Sequence, residues 1–410
     1  MSQSERNVRI AFVGAALPDT ERFHNLAFSR AGAMFISNLL GGMADAGARP
    51  DQIFSFIAIQ AYPRGKRLFC FEPKARLENG QEVTFVPFIN LPVVKYVTVS
   101  AMTAVYLLAW AWRSRNTHRV IYTFNLSMPS GLFTLIAARL TRSKAVVSLN
   151  DINEPGETVP NSLDRRIDYA IQRWIIPKYD GHVAVSDAMM SDFAPGRDYV
   201  RVEGGITPEV VTATEPRKPC RRSPSEPFVM VAAGSLDAAN GIPLMLAAMK
   251  MIRHSNISLQ IAGNGPLLED VRSAAAADPR IQYAGYLSFQ EVLTLYTQAD
   301  LLLNIRITKS ISTRYFFPSK LMEYLASGTP VVTTKTGHVA AEFSDEAIFL
   351  DDETPEALAA LLISTAATDP QTLLEFGDRA REKMLATKTW ALQGRRVVDY
   401  LHLVTFGSLP

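Results

Sequence analysis

Short apolar runs alternate with longer segments of helical periodicity along most of the chain. The short runs are rich in β-branched and aromatic residues, which is typical of strands. In the first half we predict strands at 8–13, 53–59, 83–87, 119–123, 145–149 and 182–185. In the second half we predict strands at 228–233, 258–262, 281–284, 301–304, 331–333 and 347–350. Helical patterns fill the gaps, so the order of elements predicts an α/β fold with parallel sheets.

One segment interrupts this alternation and divides the chain. Residues 212–227 read TATEPRKPCRRSPSEP, a stretch without periodicity and dense in proline and charge, as in an exposed linker. A chain of 410 residues also exceeds the usual size of one hydrophobic core. We therefore expect a Rossmann-like domain at 1–211, a second one at 228–388, and a final helix within 389–410 that packs back toward the first domain.

Composition and charge narrow the class of protein. The chain is 48% hydrophobic and 20% charged, as in globular enzymes, and its net charge of +2 gives no support for nucleic-acid binding. The two cysteines, Cys70 and Cys220, form neither a disulfide framework nor a metal-ligand cluster. The polar residues 1–7 lack the pattern of an export signal. A cytoplasmic protein is expected.

The segment 93–115 is almost continuously apolar up to Trp112 and ends with Arg113 and Arg115. It fits a buried or half-buried helix beside a sheet. Trp110 and Trp112 next to arginines also fit a helix lying in a lipid interface, and the length approaches that of a membrane span. Peripheral contact with the inner face of the cytoplasmic membrane is therefore one of three interpretations.

Candidate chemistry lies where predicted strands of the second half end. Ligands of open parallel sheets bind beyond the carboxyl ends of the strands, where backbone N–H groups meet anions. Two such loops are rich in glycine, and they contain Gly234 with Ser235 and Gly263 with Gly265. A third loop leads into the helix that Pro318 is placed to begin. These loops predict an anion site in the second half.

The third loop carries the residues best suited to a diphosphate. Ser319 and Lys320 fall in the first helical turn, and Arg314 precedes them. Glu323 lies on the same helix face as Ser319 and would accept ribose hydroxyl groups. Taken alone, Lys320 and Glu323 equally fit a solvated helix face with an ordinary ion pair.

The text TRYFFPSKLMEYLASGTPVVTT at 313–334 resembles the donor-site signature of bacterial polysaccharide glycosyltransferases. The C-terminal half as a whole resembles the GT-B glycosyltransferases of the large retaining family numbered four. This resemblance implies two Rossmann-like domains facing across a cleft and a UDP- or GDP-linked sugar as co-substrate. It also implies that the turn from Pro318 to Leu321 holds the diphosphate and that Glu323 holds the ribose.

The resemblance further implies transfer of a hexosyl-type sugar, with retention of configuration, to a glycan or lipid-linked acceptor in glycan biosynthesis. No metal and no other cofactor are implied. Lys320, Arg314 and Asp151 are the candidate catalytic residues. Gly14, Asn150 and Glu154 are candidates on the acceptor side. Asp151 and Glu154 also fit a capped loop that opens a helix.

The chain departs from the family pattern at three positions. Tyr315 stands where the donor loop usually has a glutamate, and Ser235 and Asn240 stand where many members have cations. Arg314, Lys320 or Arg306 would have to compensate. These departures keep two alternatives open, a catalytically inactive GT-B scaffold or partner protein and a nucleotide-sugar epimerase on the same fold.

Overall fold

The structure is a computed structural model of the chain. It describes residues 8–18, 20, 23, 30–57, 59–126, 130–152, 154–156, 159, 161–214, 226–253, 256–309 and 313–409. The chain forms two compact units. The first comprises Met1–Gly204 together with Trp390–Pro410, and the second comprises Gly205–Thr389.

The strands of the first unit are β1 (Val8–Val13), β2 (Gln52–Ser55), β3 (Phe69–Cys70), β4 (Ala75–Arg76), β5 (Glu82–Phe85), β6 (Phe88–Ile89), β7 (His118–Phe124), β8 (Lys144–Leu149), β9 (Gly181–Ala184) and β10 (Tyr199–Arg201). The main sheet has the order β10-β9-β8-β7-β1-β2-β5-β4. Its neighbours are parallel except for β4 and β5. Strands β3 and β6 form a separate antiparallel pair.

The second unit contains β11 (Phe228–Ser235), β12 (Ile257–Asn264), β13 (Ile281–Gly285), β14 (Leu301–Asn304), β15 (Val331–Thr334) and β16 (Ile348–Leu350). They form a parallel sheet in the order β13-β12-β11-β14-β15-β16. Strands β12 and β13 therefore lie on one side of β11, and β14 to β16 lie on the other, so the order of strands reverses between β11 and β14. In doubly wound folds this reversal is where the loops separate and admit a ligand.

The described helices, in chain order, are α1 (Arg30–Asp45), α2 (Val94–Arg113), α3 (Ser130–Thr141), α4 (Leu163–Ile175), α5 (Asp187–Phe193), α6 (Pro208–Ala213), α7 (Ile242–Met251), α8 (Leu268–Ala277), α9 (Phe289–Thr297), α10 (Ser319–Ala326), α11 (Val339–Glu342), α12 (Pro355–Ala367), α13 (Pro370–Thr387) and α14 (Trp390–Phe406). Helices α1 and α14 meet closely, since a Cβ on Gly42 would lie 2.0 Å from the carbonyl oxygen of Trp390. The hydroxyl of Tyr400 in α14 also donates to the carbonyl of Asp198 at 2.7 Å. The final helix thus packs within the first unit.

The division between the units differs from the expected boundary at residue 211. That boundary falls inside α6, which belongs to the second unit because Arg381 of α13 donates to the Val211 carbonyl at 3.1 Å. The short α6 carries no apolar periodicity long enough to be recognised in the sequence. Of the expected linker 212–227, residues 215–225 lie outside the described residues.

Helix α2 is an amphipathic surface helix of the first unit. Among the described residues it is the helix that passes the length and composition criteria for a membrane span, and 28% of its apolar window is buried. Trp110 is buried, whereas Trp112 is 72% exposed. The expectation that both tryptophans share an interface is therefore wrong, because residues two apart point to different sides of a helix.

Candidate functional site

The candidate site lies at the carboxyl ends of β11 and β14, where the sheet of the second unit reverses its order. The loop after β11 holds Gly234 and Ser235, and the connection after β14 leads to α10. This arrangement brings the first turn of α10 beside the glycine loop. The N–H groups of Ser319 and Lys320 have no intrahelical acceptors by position, and Pro318 gives the helix no side-chain cap.

Lys320 occupies the space that a side chain at residue 234 would fill. Gly234 has a φ of 144°, and a Cβ built there would lie 1.7 Å from the Lys320 Nζ. The Nζ donates to the carbonyl of Ala233 at 3.1 Å. The backbone conformation at 234 therefore favours glycine, and a side chain there would displace the Lys320 ammonium group.

Burial shifts the pKa values of both ionisable residues on this helix. The pKa of Lys320 is lowered, chiefly by burial and also by the positive charge of Arg306, while Glu323 and Asp237 oppose this shift. Burial raises the pKa of Glu323 to about 7, although Lys320 acts in the opposite direction. Shifted pKa values of this kind concentrate at functional sites.

A tyrosine on the next turn fastens α10 to the sheet. The backbone N–H of Ala233 donates to the Tyr324 hydroxyl oxygen at 3.0 Å, and the hydroxyl donates back to the Ala233 carbonyl at 3.2 Å. The Tyr324 ring also packs edge-on against Tyr296, with 4.7 Å between ring centroids. The backbone of Ala233 thus forms hydrogen bonds with both Lys320 and Tyr324. Tyr324 appears in the sequence only as an apolar position of the helix.

The second glycine loop lies against the first. A Cβ on Gly263, whose φ is 135°, would lie 1.8 Å from the carbonyl oxygen of Gly234. A Cβ on Gly265 would lie 2.5 Å from the carbonyl oxygen of Leu236. The structure therefore brings Gly234, Gly263 and Gly265 together, and their lack of side chains permits this close backbone approach.

The remaining predicted residues of the second unit divide between surface and core. Ser235 and Ser319 are exposed, and Pro318 is the residue that immediately precedes α10 rather than its first residue. Leu321 is 0% exposed, and its N–H donates to the Pro318 carbonyl at 2.9 Å. Leu321 is therefore a core residue, which corrects its place among the predicted binding residues.

Arg306 lies near Lys320, because its positive charge is among those that lower the pKa of Lys320. The role of Arg314 stays a prediction. Arg314 is exposed in a turn shared with Tyr315. The sequence signal for Arg306 is its position directly after β14, two residues beyond Asn304.

The acceptor-side candidates lie in the first unit, at the ends of β1 and β8. The amide oxygen of Asn125 accepts from the N–H groups of Asn150 and Asp151 at 2.8 and 3.1 Å. The Asn125 amide also donates to the Asp151 carboxylate at 3.0 Å. Asn125, whose φ is 52°, was missed in the sequence, and it orients the exposed Asp151.

Glu154 and Gly14 already have structural partners in this unit. The Tyr169 hydroxyl of α4 donates to the Glu154 carboxylate at 2.7 Å. A Cβ on Gly14 would lie 2.9 Å from that of Phe124, so tight packing alone requires a glycine there. Their roles on the acceptor side stay predictions.

Comparison with solved structures identifies the fold. The fold matches that of sucrose-phosphate synthase from Thermosynechococcus elongatus with a TM-score of 0.68, at 15% identity, over 98% of this chain and 100% of that one. It matches that of Anabaena HepE, solved in complex with UDP-glucose, with a TM-score of 0.60, at 15% identity, over 96% and 99%. The chain has the GT-B glycosyltransferase fold, which confirms the predicted α/β architecture.

The second unit carries a more specific match. Residues 227–367 match the family described as Glycosyl transferases group 1. A segment of 170 residues is 26% identical to the putative colanic acid biosynthesis glycosyltransferase WcaL of Salmonella typhimurium. That segment covers 40% of this chain and 42% of the relative's length. The family match includes residues 313–334, so the resemblance of this segment to glycosyltransferases is confirmed for the second unit.

The raised pKa of Glu323 predicts a pH dependence of folding. Between pH 4.5 and about 7 the folded chain keeps a proton that the unfolded chain has released, so the free energy of unfolding falls as pH rises. Urea titrations should show a loss of about 3 kcal/mol across this window that Glu323→Gln removes.

Glu291→Gln is the matched control, because hydrogen bonds from Ser288 lower the pKa of that carboxyl group instead. This variant should keep the loss between pH 4.5 and 7. A wild-type loss that survives in Glu323→Gln would show that Glu323 ionises normally in the folded chain.

Proposed function

We propose that the protein is a glycosyltransferase that moves a hexosyl-type sugar from a UDP- or GDP-linked donor to a glycan or lipid-linked acceptor. The observation that carries this proposal is Lys320 resting over Gly234 at the start of α10, with Glu323 one turn further on. The group 1 match covers this same segment. The complexes of the related HepE fold with UDP and with UDP-glucose support a nucleotide-sugar donor.

In this proposal the second unit binds the donor. The diphosphate lies at the first turn of α10, where Ser319 and the helix N-terminus offer N–H groups and Lys320 offers a positive charge. Gly234, Ser235, Gly263 and Gly265 line the approach, because backbone without side chains lets phosphate come close. The Glu323 carboxylate accepts from the ribose hydroxyl groups.

The proposed reaction retains the anomeric configuration. The bond from the anomeric carbon to the diphosphate oxygen breaks, and the acceptor hydroxyl attacks from the same face while its proton passes to the leaving phosphate. Lys320 and the exposed Arg314 stabilise the charge that develops on the diphosphate. The reaction then needs neither a metal ion nor another cofactor.

The acceptor belongs to the first unit in this proposal. Asp151 is exposed and held by Asn125, so its carboxylate is placed to accept from an acceptor hydroxyl. Asn150 and Glu154 follow the same strand, and Gly14 follows β1. Their positions at the carboxyl ends of parallel strands support this role.

We also propose a cytoplasmic protein that rests on the inner face of the membrane through residues 93–115. The α2 surface exposes Trp112, and the Arg115 guanidinium lies 5.3 Å from the centre of its ring. Helix α4 repeats this pairing with Trp174, 58% exposed, and Lys178. Aromatic rings flanked by cations suit the headgroup region of anionic lipid.

A second candidate function follows from the departures at Ser235, Asn240 and Tyr315. A scaffold that binds the nucleotide sugar without chemistry would tolerate the loss of these contacts. An epimerase would change the sugar without releasing nucleoside diphosphate. The products formed from the donor distinguish these two candidates from a transferase.

Replacing Lys320 with alanine should weaken binding of UDP or GDP at least tenfold, because a buried cation and its contact with the diphosphate are lost. Calorimetry without added metal measures this effect. The same variant should lose release of nucleoside diphosphate from the sugar donor in the presence of acceptor.

Lys250→Ala is the matched control, since Lys250 is exposed in the last turn of α7. It should bind as wild type does. Equal binding and turnover by wild type and Lys320→Ala would remove the donor site from α10. Binding with neither transfer nor epimerisation would favour the scaffold.

Trp112→Ala should reduce co-sedimentation with vesicles that contain anionic phosphatidylglycerol by about tenfold, because a large aromatic surface no longer enters the interface. Tyr286→Ala is the control, since Tyr286 is 79% exposed on the second unit. Wild-type protein that stays in the supernatant would contradict the membrane proposal.

A further inference from the structure

The loop that follows β14 is joined to the loop that follows β11. The Ile307 N–H donates to the Ala239 carbonyl at 2.9 Å. Gly241 has a φ of 69°, and a Cβ built there would lie 2.5 Å from the Cγ2 of Ile305. Residues 305–307 therefore pack against the turn 237–241. This turn contains Asn240, which stands where many members of the resembled glycosyltransferase family have a positively charged residue.

Arg306 lies at the centre of this contact and is held in place from several directions. Its guanidinium donates through NH1 to the Asn240 side-chain oxygen at 2.9 Å and lies 4.6 Å from the centre of the Phe316 ring. The Thr334 hydroxyl accepts from the Arg306 N–H at 2.9 Å and donates to its carbonyl at 2.7 Å. Thr334 thus holds the Arg306 backbone, and Asn240 and Phe316 contact its guanidinium.

Arg306 and Lys320 have no carboxylate partner at hydrogen-bond distance among the described residues, although the negative charges of Glu323 and Asp237 act on Lys320. In the described part of the chain, neither Arg306 nor Lys320 forms a salt bridge, and their hydrogen-bond partners are the neutral oxygens of Asn240 and Ala233. The nearby Asp237 carboxylate accepts from the Ser235 hydroxyl at 2.7 Å and from the Asn240 amide. Two neighbouring cations with neutral partners favour binding of a multivalent anion.

We propose that Arg306 supplies the diphosphate-binding cation that positions 235 and 240 lack. The inference rests on the proposed function and extends it to a residue outside the family's usual cation positions. Asn240 positions the guanidinium through the amino group NH1, while Nε is buried and makes no hydrogen bond among the described residues. The other amino group of the guanidinium is therefore the donor proposed for phosphate oxygens, and a planar fork suits them better than an ammonium group.

Calorimetry of single variants with UDP and GDP, and with UMP and GMP, tests this role. Arg306→Ala should weaken binding of the diphosphates at least tenfold and binding of the monophosphates less. Arg306→Lys should lie between it and wild type. Asn240→Ala removes the hydrogen bond but keeps the charge, so it should weaken binding less than Arg306→Ala.

The double variant Asn240→Lys with Arg306→Ala tests the charge directly. It returns a cation to the turn and should recover most of the lost affinity. Arg272→Ala is the matched control, because Arg272 is exposed on α8 and pairs with Glu269 at 2.7 Å. Thermal unfolding without nucleotide confirms that each variant is folded.

The outcomes separate this inference from the proposed function. If Lys320→Ala loses binding while Arg306→Ala binds as wild type does, the donor site stands and the role of Arg306 is wrong. Equal losses in Asn240→Ala and Arg306→Ala, without recovery in the double variant, would reduce Arg306 to a support of the loop and overturn the inference. Wild-type protein that binds none of the four nucleotides would overturn the proposed function and this inference with it.

Discussion

The ammonium group of Lys320 lies where any side chain at residue 234 would have to be, and it is hydrogen-bonded to the carbonyl of Ala233. This contact ties the first turn of α10 to the end of β11. Tyr324 strengthens the link, because it bonds to both backbone groups of Ala233. The reversal of strand order therefore brings the helix N-terminus, the buried cation and the glycine loop together, and the proposed donor site depends on this arrangement.

The two units divide the proposed work. The second unit provides a positively charged site built mainly from backbone and two fixed cations, which suits recognition of a diphosphate more than of a particular sugar. The first unit presents Asp151 on an asparagine-braced loop and an apolar, tryptophan-bearing surface on α2. In the proposal, the second unit stabilises the leaving group and the first unit places the acceptor at the membrane.

Local sequence text predicted the parts of this structure that depend on local physics. The alternation of elements indicated parallel sheets, and glycine spacing indicated loops at strand ends that bind an anion. The Pro318–Ser319–Lys320 turn indicated where Lys320 and Glu323 lie. The boundary at 204, the short α6 and the β3–β6 pair depend on distant contacts such as that of Arg381, which no local pattern records. For the same reason Leu321 was misplaced, and Asn125 and Tyr324 were missed. Arg306 was one of three possible substitutes until its contact with Asn240 distinguished it.

Hydrogen–deuterium exchange of the intact chain, with and without saturating UDP or GDP, locates the binding site of the diphosphate. A diphosphate bound at the sheet's reversal point should slow amide exchange in 233–241 and 318–323, because these segments supply the contacting backbone. The amino ends of β13 and β14 in the same sheet, around 278–281 and 298–301, should exchange as before. Protection at those amino ends instead, or no protection anywhere, would rule out a diphosphate site between β11 and α10.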